Sequence, residues 1–289
     1  MNARDLTRAL GGKWHGRYGA CVCPAHNDRT PSLSVRDGDS SIILTCHAGC
    51  ERPDIIRELR RMGLWTGSDR RTRKPVKHPP TYPGPAAPTL EAVWMWQGAS
   101  PPGSTLVERY LRSRGVTQPV PDVLRYAPDL PYPKSDNRHP AMIAAITSSI
   151  GAVVAVQRTY LAPDGCGKAA LDPVKMGWGQ QGDGAIQLAP AEDELGLAEG
   201  IETALSVMEL GGPPTWAVMS CGRLASVAVP ACVRTLHIFR DAGLPGLQGA
   251  QKAVERHTAE GRRVLLHSPP DGFSDFNDVL TADAVEVAA

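Results

Sequence analysis

Four side chains near the N-terminus carry the spacing of metal ligands. Cys23-Pro-Ala-His26 and Cys46-His-Ala-Gly-Cys50 are two short pairs, with two and three residues between partners and nineteen between His26 and Cys46. Zinc takes four ligands in a tetrahedron, and structural sites commonly supply them as two such pairs. One structural zinc on Cys23, His26, Cys46 and Cys50 is therefore expected, with Cys21 and His47 beside the set as alternative ligands. Cys166, Cys221 and Cys232 lie far apart in apolar surroundings and read as plain buried thiols.

A second set is acidic. Glu199 and Asp241 each follow a short apolar run, at Leu195–Ala198 and at Thr235–Arg240. Carboxylates gathered at one edge of a sheet, without charged partners in sequence, suit Mg²⁺ or Mn²⁺, ions that serve phosphoryl and nucleotidyl transfer. Glu199 also suits the start of the helix beginning at Ile201, where negative charge is favourable, and Glu202 reads as a first-turn acid of that helix.

The elements that must position these groups are legible in outline. Thr30–Val35 and Ser41–Cys46 read as two strands around a turn at Asp37-Gly38-Asp39, a hairpin that delivers the second ligand pair to the first. Pro53–Met62 places Ile55, Ile56, Leu59 and Met62 at helical spacing. Residues 66–89 hold Arg70-Arg-Thr-Arg-Lys74, Lys77 and six prolines, and read as an extended basic tether between folded parts. Beyond it, helices are expected at Leu90–Gln97 and Thr105–Arg114, and strands at Ala141–Ile146 and Ala152–Leu161. Leu195–Ala198, Thr215–Ser220, Thr235–Arg240 and Arg262–His267 then read as strands, with helices at Ile201–Leu210 and Gly246–Ala259. Strands alternating with helices imply a parallel sheet covered on its faces, with ligands bound beyond the carboxyl ends of its strands. Glu199 and Asp241 both fall at that edge.

Charge divides the chain. A net of +1 conceals 15 Lys/Arg against 8 Asp/Glu in residues 1–80, and 16 against 22 in residues 81–289. A basic zinc-bearing segment fits a nucleic-acid partner. No signal-peptide pattern or membrane-spanning run is present, so a reducing, cytoplasmic setting without a membrane partner is expected. No Gly-x-x-x-x-Gly-Lys-Ser/Thr loop occurs, so any unwinding falls to a separate helicase.

Cys-Pro-x-His, a Thr-Pro-Ser-Leu-Ser-Val strand and Cys-His-Ala-Gly-Cys, in this order, closely resemble the zinc-binding domain of DnaG-type DNA primases. Many primases have two residues between the last two cysteines, whereas plasmid and phage relatives often carry the three found here. Gln157-Arg-Thr-Tyr-Leu-Ala-Pro-Asp-Gly165 with Lys168 and Lys175 resembles the segment preceding the catalytic core of plasmid and phage primases. Arg158, Lys168 and Lys175 are candidates to hold template or nucleotide phosphate. Leu197-Ala-Glu-Gly-Ile-Glu-Thr-Ala-Leu-Ser206, Ile238-Phe-Arg-Asp-Ala-Gly-Leu-Pro-Gly246 and Asp275-Phe-Asn-Asp278 look like a Toprim domain.

The resemblance implies general acid/base or metal-binding work for Glu199 and divalent metal on Asp241, with Asp275 or Asp278 completing the site. The family's second metal aspartate falls on Gly243, so Gly243→Asp is expected to add a metal oxygen unless the glycine serves the backbone. The implied organisation mixes α+β and α/β parts. It runs as a zinc-bound β-hairpin module at 1–65, a linker at 66–89, an N-terminal catalytic subdomain at 90–190 and a Toprim domain at 191–289 with a helix-covered parallel sheet. The implied activity is that of a plasmid- or phage-type primase in DNA replication, a nucleotidyltransferase joining ribonucleoside triphosphates on single-stranded DNA with Mg²⁺ or Mn²⁺. A catalytically weakened single-strand-binding or recruitment module and a Toprim nuclease are the alternative readings.

Overall fold

The computed structural model describes residues 2–28, 30–38, 42–65 and 82–287, with side chains of 283–287 left aside. The chain divides into two compact units, residues 1–78 and 79–289. Among the described residues no helix is long and apolar enough to cross a membrane.

The first unit opens with helix α1 (Ala3–Ala9), whose N-cap Asn2 accepts the Asp5 N–H through its side chain. An antiparallel meander follows: β1 (Lys13–Trp14), β2 (Gly19–Cys21), β3 (Leu33–Asp37) and β4 (Ile42–Cys46), in that order across the sheet. Helix α2 (Arg52–Arg61) closes the unit, with Pro53 near its first turn. Strand alternation turns Leu33 and Val35 inward against Leu6, Ile55 and Leu59, all of them buried. The expected hairpin and helix are present, and the turn residue Asp39 lies outside the described residues. Helix α1 and strands β1 and β2 escaped the sequence reading, because strands of two and three residues leave no period to detect.

The expected tether lies outside the described residues up to 81, and residues 82–89 differ from a free linker. The Arg256 guanidinium lies 4.1 Å from the centre of the Tyr82 ring, Gly84 C=O accepts the Asp183 N–H, and Thr89 N–H donates to Val154 C=O. These partners are distant in sequence, which is why composition alone suggested an unattached segment.

The second unit has two four-stranded sheets. One is antiparallel, in the order β5 (Leu124–Pro131), β6 (Arg138–Thr147), β7 (Val153–Tyr160) and β8 (Lys175–Trp178). Helix α3 (Leu90–Gln97) covers the face bearing Ile143, Val156 and Tyr160, and α4 (Leu106–Ser113) covers the face bearing Met142, Ala144 and Ile146. Strand β5 was hidden by its prolines. Its pairing with β6 shifts register between Ala127 and Leu130, which lets Pro128 sit where a ladder N–H is not required.

The other sheet is parallel, in the order β10 (Thr215–Ala217), β9 (Glu194–Ala198), β11 (Thr235–Phe239) and β12 (Arg263–His267). Helix α6 (Leu244–Ala259) packs Ala250 and Ala253 against Leu236 and Ile238. Helices α5 (Ile201–Glu209) and α7 (Phe276–Val287) pack against each other, and Ile201 and Ala204 of α5 join Ala198 and Phe239 in one core. Helix α6 starts at Leu244 rather than Gly246, with Pro245 in its first turn, where a missing N–H costs nothing. Helix α7 is a further element the sequence reading passed over. Cys166 and Cys232 are exposed and Cys221 partly so, correcting the expectation of buried thiols. Cys166 lies between two glycines and Cys232 two residues after a proline, where no element carries them inward.

Asn277 ties α7 into this unit. It is fully buried, and its amide donates to Arg114 C=O at 2.7 Å and to Ser206 Oγ at 2.9 Å. Asn277→Ala removes both bonds and leaves buried acceptors unpaired, so it is expected to cost about 1–3 kcal/mol. Thermal denaturation should show a melting temperature lower by several degrees.

Candidate functional site

In the first unit, the β2–β3–β4 pairing determines the geometry. Cys23 and His26 follow β2, Cys46 ends β4, and Cys50 precedes α2, so the sheet brings the two pairs to one corner. One ligand atom from each of Cys23, His26, Cys46 and Cys50 lies within 4.8 Å of all the others. His26 Nδ1 is 3.1 Å from Cys50 Sγ and 4.0 Å from Cys46 Sγ. A zinc ion with bonds of about 2.0–2.3 Å holds its ligand atoms roughly 3.5–4 Å apart, so this cluster fits a tetrahedral zinc.

The thiols alone are electrostatically frustrated. Burial above all pushes Cys23 up to about 12, with neighbouring Cys46 and Cys50 adding to the shift. Burial opposes ionisation of Cys46 as well, but N–H groups of Cys50 and Ala48 and the Ser32 hydroxyl bring it down to about 7. A dication removes this conflict, since it accepts all three sulfurs as thiolates. Cys21 stays outside the cluster: its buried thiol points to Leu33 C=O, 3.6 Å away, and burial raises it to about 11. His47 is likewise engaged elsewhere, with Nε2 2.8 Å from Ser34 Oγ.

Asp28 is a residue the sequence reading missed. Its carboxylate accepts the Ser32 hydroxyl at 2.5 Å and the Cys23 N–H at 2.8 Å, and lies 3.6 Å from His26 Nε2. The Ser32 and Cys23 bonds hold it down to about 2, so it is a fixed anion behind the histidine. An anion there favours the tautomer that presents Nδ1 to a metal. The available signal was an acid two residues after a ligand histidine.

In the second unit, Glu199 follows β9 and Asp241 lies just past β11, on neighbouring strands of the parallel sheet. Glu199 Oε1 and Asp241 Oδ1 are buried and have no hydrogen-bond partner. Burial raises Glu199, partly offset by the N–H groups of Asp241 and Cys221. Asp241 is pushed up to about 7, by burial first and then by the charges of Glu199 and Asp275. Two orphaned carboxylate oxygens side by side are what a hard divalent cation would satisfy.

Gly246 permits this approach, because a Cβ there would stand 2.4 Å from Asp241 C=O and 3.3 Å from Glu199 Oε1. Ala242 N–H donates to Ser274 C=O, which brings the start of α7 alongside. Asp275 Oδ1 accepts the N–H groups of Asn277 and Asp278, so this residue caps α7 as well as facing Asp241. Asp278 accepts the Ser274 N–H and is engaged in that turn. Among the described residues the acidic side chains form no close group of three like the cysteine–histidine cluster.

The basic candidates separate. Arg158 pairs with Met176 across β7 and β8, whereas Lys175 pairs with Thr159, so alternation sends the two to opposite faces. Arg158 is buried with its guanidinium 5.2 Å from the Trp178 ring, and its Nε has no partner. Lys168 and Lys175 converge instead on Glu202, at 3.1 and 2.9 Å. Glu202 was read as an ordinary first-turn acid. It is in fact buried, and nothing local distinguishes it, because its partners come from other elements.

Metal analysis of the purified protein should give one zinc per chain. Cys23→Ser/Cys46→Ser should remove it, and Asp28→Asn should weaken zinc binding about 10–100-fold in a chelator competition. For Asp241 the sign follows from its raised value. An unfolded aspartate ionises near ~3.9. Between that point and about 7, the folded chain therefore holds a proton that the unfolded chain has lost, and stability from this group falls as pH rises. Asp241→Asn should thus stabilise the metal-free protein by roughly 1–2 kcal/mol at pH 8, less than the full shift because water reaches part of the group. The difference from wild type should vanish near pH 4 and shrink on adding Mg²⁺, as denaturant titrations would show.

Both family matches fall within the second unit. Residues 194–285 match the Toprim domain family, and residues 86–188 match a family described as a domain of unknown function (DUF7146). No curated protein matches the chain. Among solved structures, the zinc-binding and RNA polymerase domains of Aquifex aeolicus primase share 14% identity at a TM-score of 0.48, over 100% of this chain and 81% of that one. The primase fragment of the bacteriophage T7 primase-helicase protein shares 13% at a TM-score of 0.39, over 94% and 98%. A DNA primase domain from Pseudomonas aeruginosa shares 15% at a TM-score of 0.44, over 68% and 76%. The residues matched to the Toprim domain family are those that build the parallel sheet from Glu194 onward.

Proposed function

We propose that the chain is a DNA primase of the plasmid or phage kind, making short RNA primers on single-stranded DNA by metal-dependent nucleotidyl transfer. The observation that carries this reading is the Glu199–Asp241 pair, two half-buried carboxylates each with one buried, unpartnered oxygen, in the region that matches the Toprim family. Its coexistence in one chain with a Cys₃His cluster of primase-like motif favours priming over a nuclease, which has no use for the zinc unit.

Glu199 and Asp241, with Asp275 beside them, would hold Mg²⁺ or Mn²⁺. Such an ion, when bound, supplies positive charge to the phosphate oxygens of the nucleotide and to the growing 3′ oxygen. The protein's own part is positional. Where the ion is held by Asp241 and Asp275 alone, Glu199, raised by burial, is suited to take up a proton from the attacking hydroxyl. Lys168 and Lys175 offer ammonium donors to phosphate, and the basic first unit is the candidate template grip. A separate helicase would supply the single strand.

Gly243 bears on the runner-up reading, a weakened homologue that recruits single-stranded DNA. It precedes α6 with φ +91° and ψ 172°, backbone that an L side chain rarely adopts. The expectation of a gain from Gly243→Asp therefore gives way to the backbone role: the variant should lose about 1–3 kcal/mol of stability and gain no priming. Synthesis from labelled ribonucleotides on single-stranded DNA, scanned across Mg²⁺ and Mn²⁺, tests the function. Glu199→Gln and Asp241→Asn should each lower it at least about 100-fold, the scale of losing a group that acts in the transition state. Unchanged synthesis in Glu199→Gln would leave only the recruitment reading.

A further inference from the structure

Glu202 is 4% exposed, yet it faces two cations. Its Oε1 accepts the Tyr110 hydroxyl at 2.6 Å and Lys168 Nζ at 3.1 Å, and Oε2 accepts Lys175 Nζ at 2.9 Å. Tyr110 comes from α4, Lys175 from β8, and Lys168 from the segment bridged to Leu161, so three separate parts of the unit meet on one carboxylate. With three donors on it, Glu202 has little capacity left for a metal, unlike Glu199 and Asp241.

The lysines are not spent in the same way. Each ammonium has three donors and gives one to Glu202, and the two side chains remain 32% and 33% exposed. Lys175 lines a cavity of about 260 Å³ together with Gln157, Gln181, Met219, Ser220 and Arg223. Met219 N–H donates to Glu199 C=O, so this cavity borders the carboxylate pair. An ion pair that served only to hold the fold would bring little net stability, and it would not leave both lysine side chains about a third exposed, with Lys175 lining a cavity.

We propose that Glu202 is a positioning residue, locked by Tyr110, that fixes Lys168 and Lys175 as a paired grip for the triphosphate tail of a nucleotide. This rests on the nucleotidyl-transfer reading and assigns the lysines their ligand within it. One carboxylate against two ammoniums leaves a net positive charge beside the cavity. The carboxylate also keeps the two like charges from driving each other apart. The polyanion binds donors that are already aimed, which reduces the ordering it must bring about.

The test is GTP binding with Mg²⁺ by isothermal titration, alongside kcat and KM for priming, in the full chain. Glu202→Gln should raise both the Kd and the KM for GTP about tenfold, the scale of one lost charge-assisted contact, with single-strand affinity unchanged. In a Lys168→Met/Lys175→Met background the same substitution should add nothing. Equal losses in both backgrounds, or a Kd within twofold of wild type for Glu202→Gln, would overturn the assignment. Should Glu202→Gln fail to fold, Tyr110→Phe decides. It removes one hydroxyl and should weaken GTP binding only when the lysines are present, and no weakening overturns the proposal. A wild-type chain that binds GTP through these lysines but makes no primer would defeat the primase reading and leave the grip standing. A wild-type chain that binds no GTP would defeat the grip.

Discussion

The second unit is organised by the cost of burying negative charge. Glu199, Glu202 and Asp241 gather near the carboxyl ends of two parallel strands, and the protein treats them in two ways. Glu202 receives two ammoniums and a phenol, which outweigh its burial and hold it far below the ordinary carboxylate range. Among the described residues Glu199 and Asp241 form no ion pair, and burial raises both, with only a partial offset on Asp241 from the Lys175 charge. Such an arrangement is stable as a site only if something else supplies the missing charge, a proton or a metal. The glycine at 246, the capped start of α7 and the loop after β11 all serve to keep those two oxygens close and dry.

The first unit solves the same problem with softer atoms. Three sulfurs and an imidazole nitrogen crowd one corner of a unit whose core, among the described residues, is ten buried residues from the meander, its two helices and Cys23. A core that small gives limited stability, so the ligand corner is part of what holds the meander to α2. Asp28 extends the site by one shell, as an anion fixed by the backbone of a ligand residue.

What was legible in the sequence follows from locality. The Cys₃His cluster and the places of Glu199 and Asp241 at strand ends were readable because pair spacing and position after an apolar run are local information. Helix α3 was legible to its end residues, since one period covers it. Strand β5 was not, because Pro128 is accommodated by a register shift against a second strand and Pro131 by the strand's place at the sheet edge. Glu202 was misread for a related reason: an acid in a first turn is unremarkable until Tyr110, 92 residues away, is seen to face it. Arg158 and Lys175 looked alike as basic residues near the core, and only the pairing of β7 with β8 showed that they face opposite sides.

Asn277 has a consequence for the order of assembly. Its amide reaches Arg114 C=O, 163 residues earlier, and the Ser206 hydroxyl, 71 residues earlier. In the first unit, by contrast, the tie from Ala3 N–H to Asp37 spans only 34 residues. During synthesis the zinc corner can therefore close while most of the chain is still unmade, whereas α4, α5 and the carboxylate edge must wait for residue 277. Until then the acidic edge lacks the helix that flanks it, and a nascent chain completes its Cys₃His corner before its carboxylate edge.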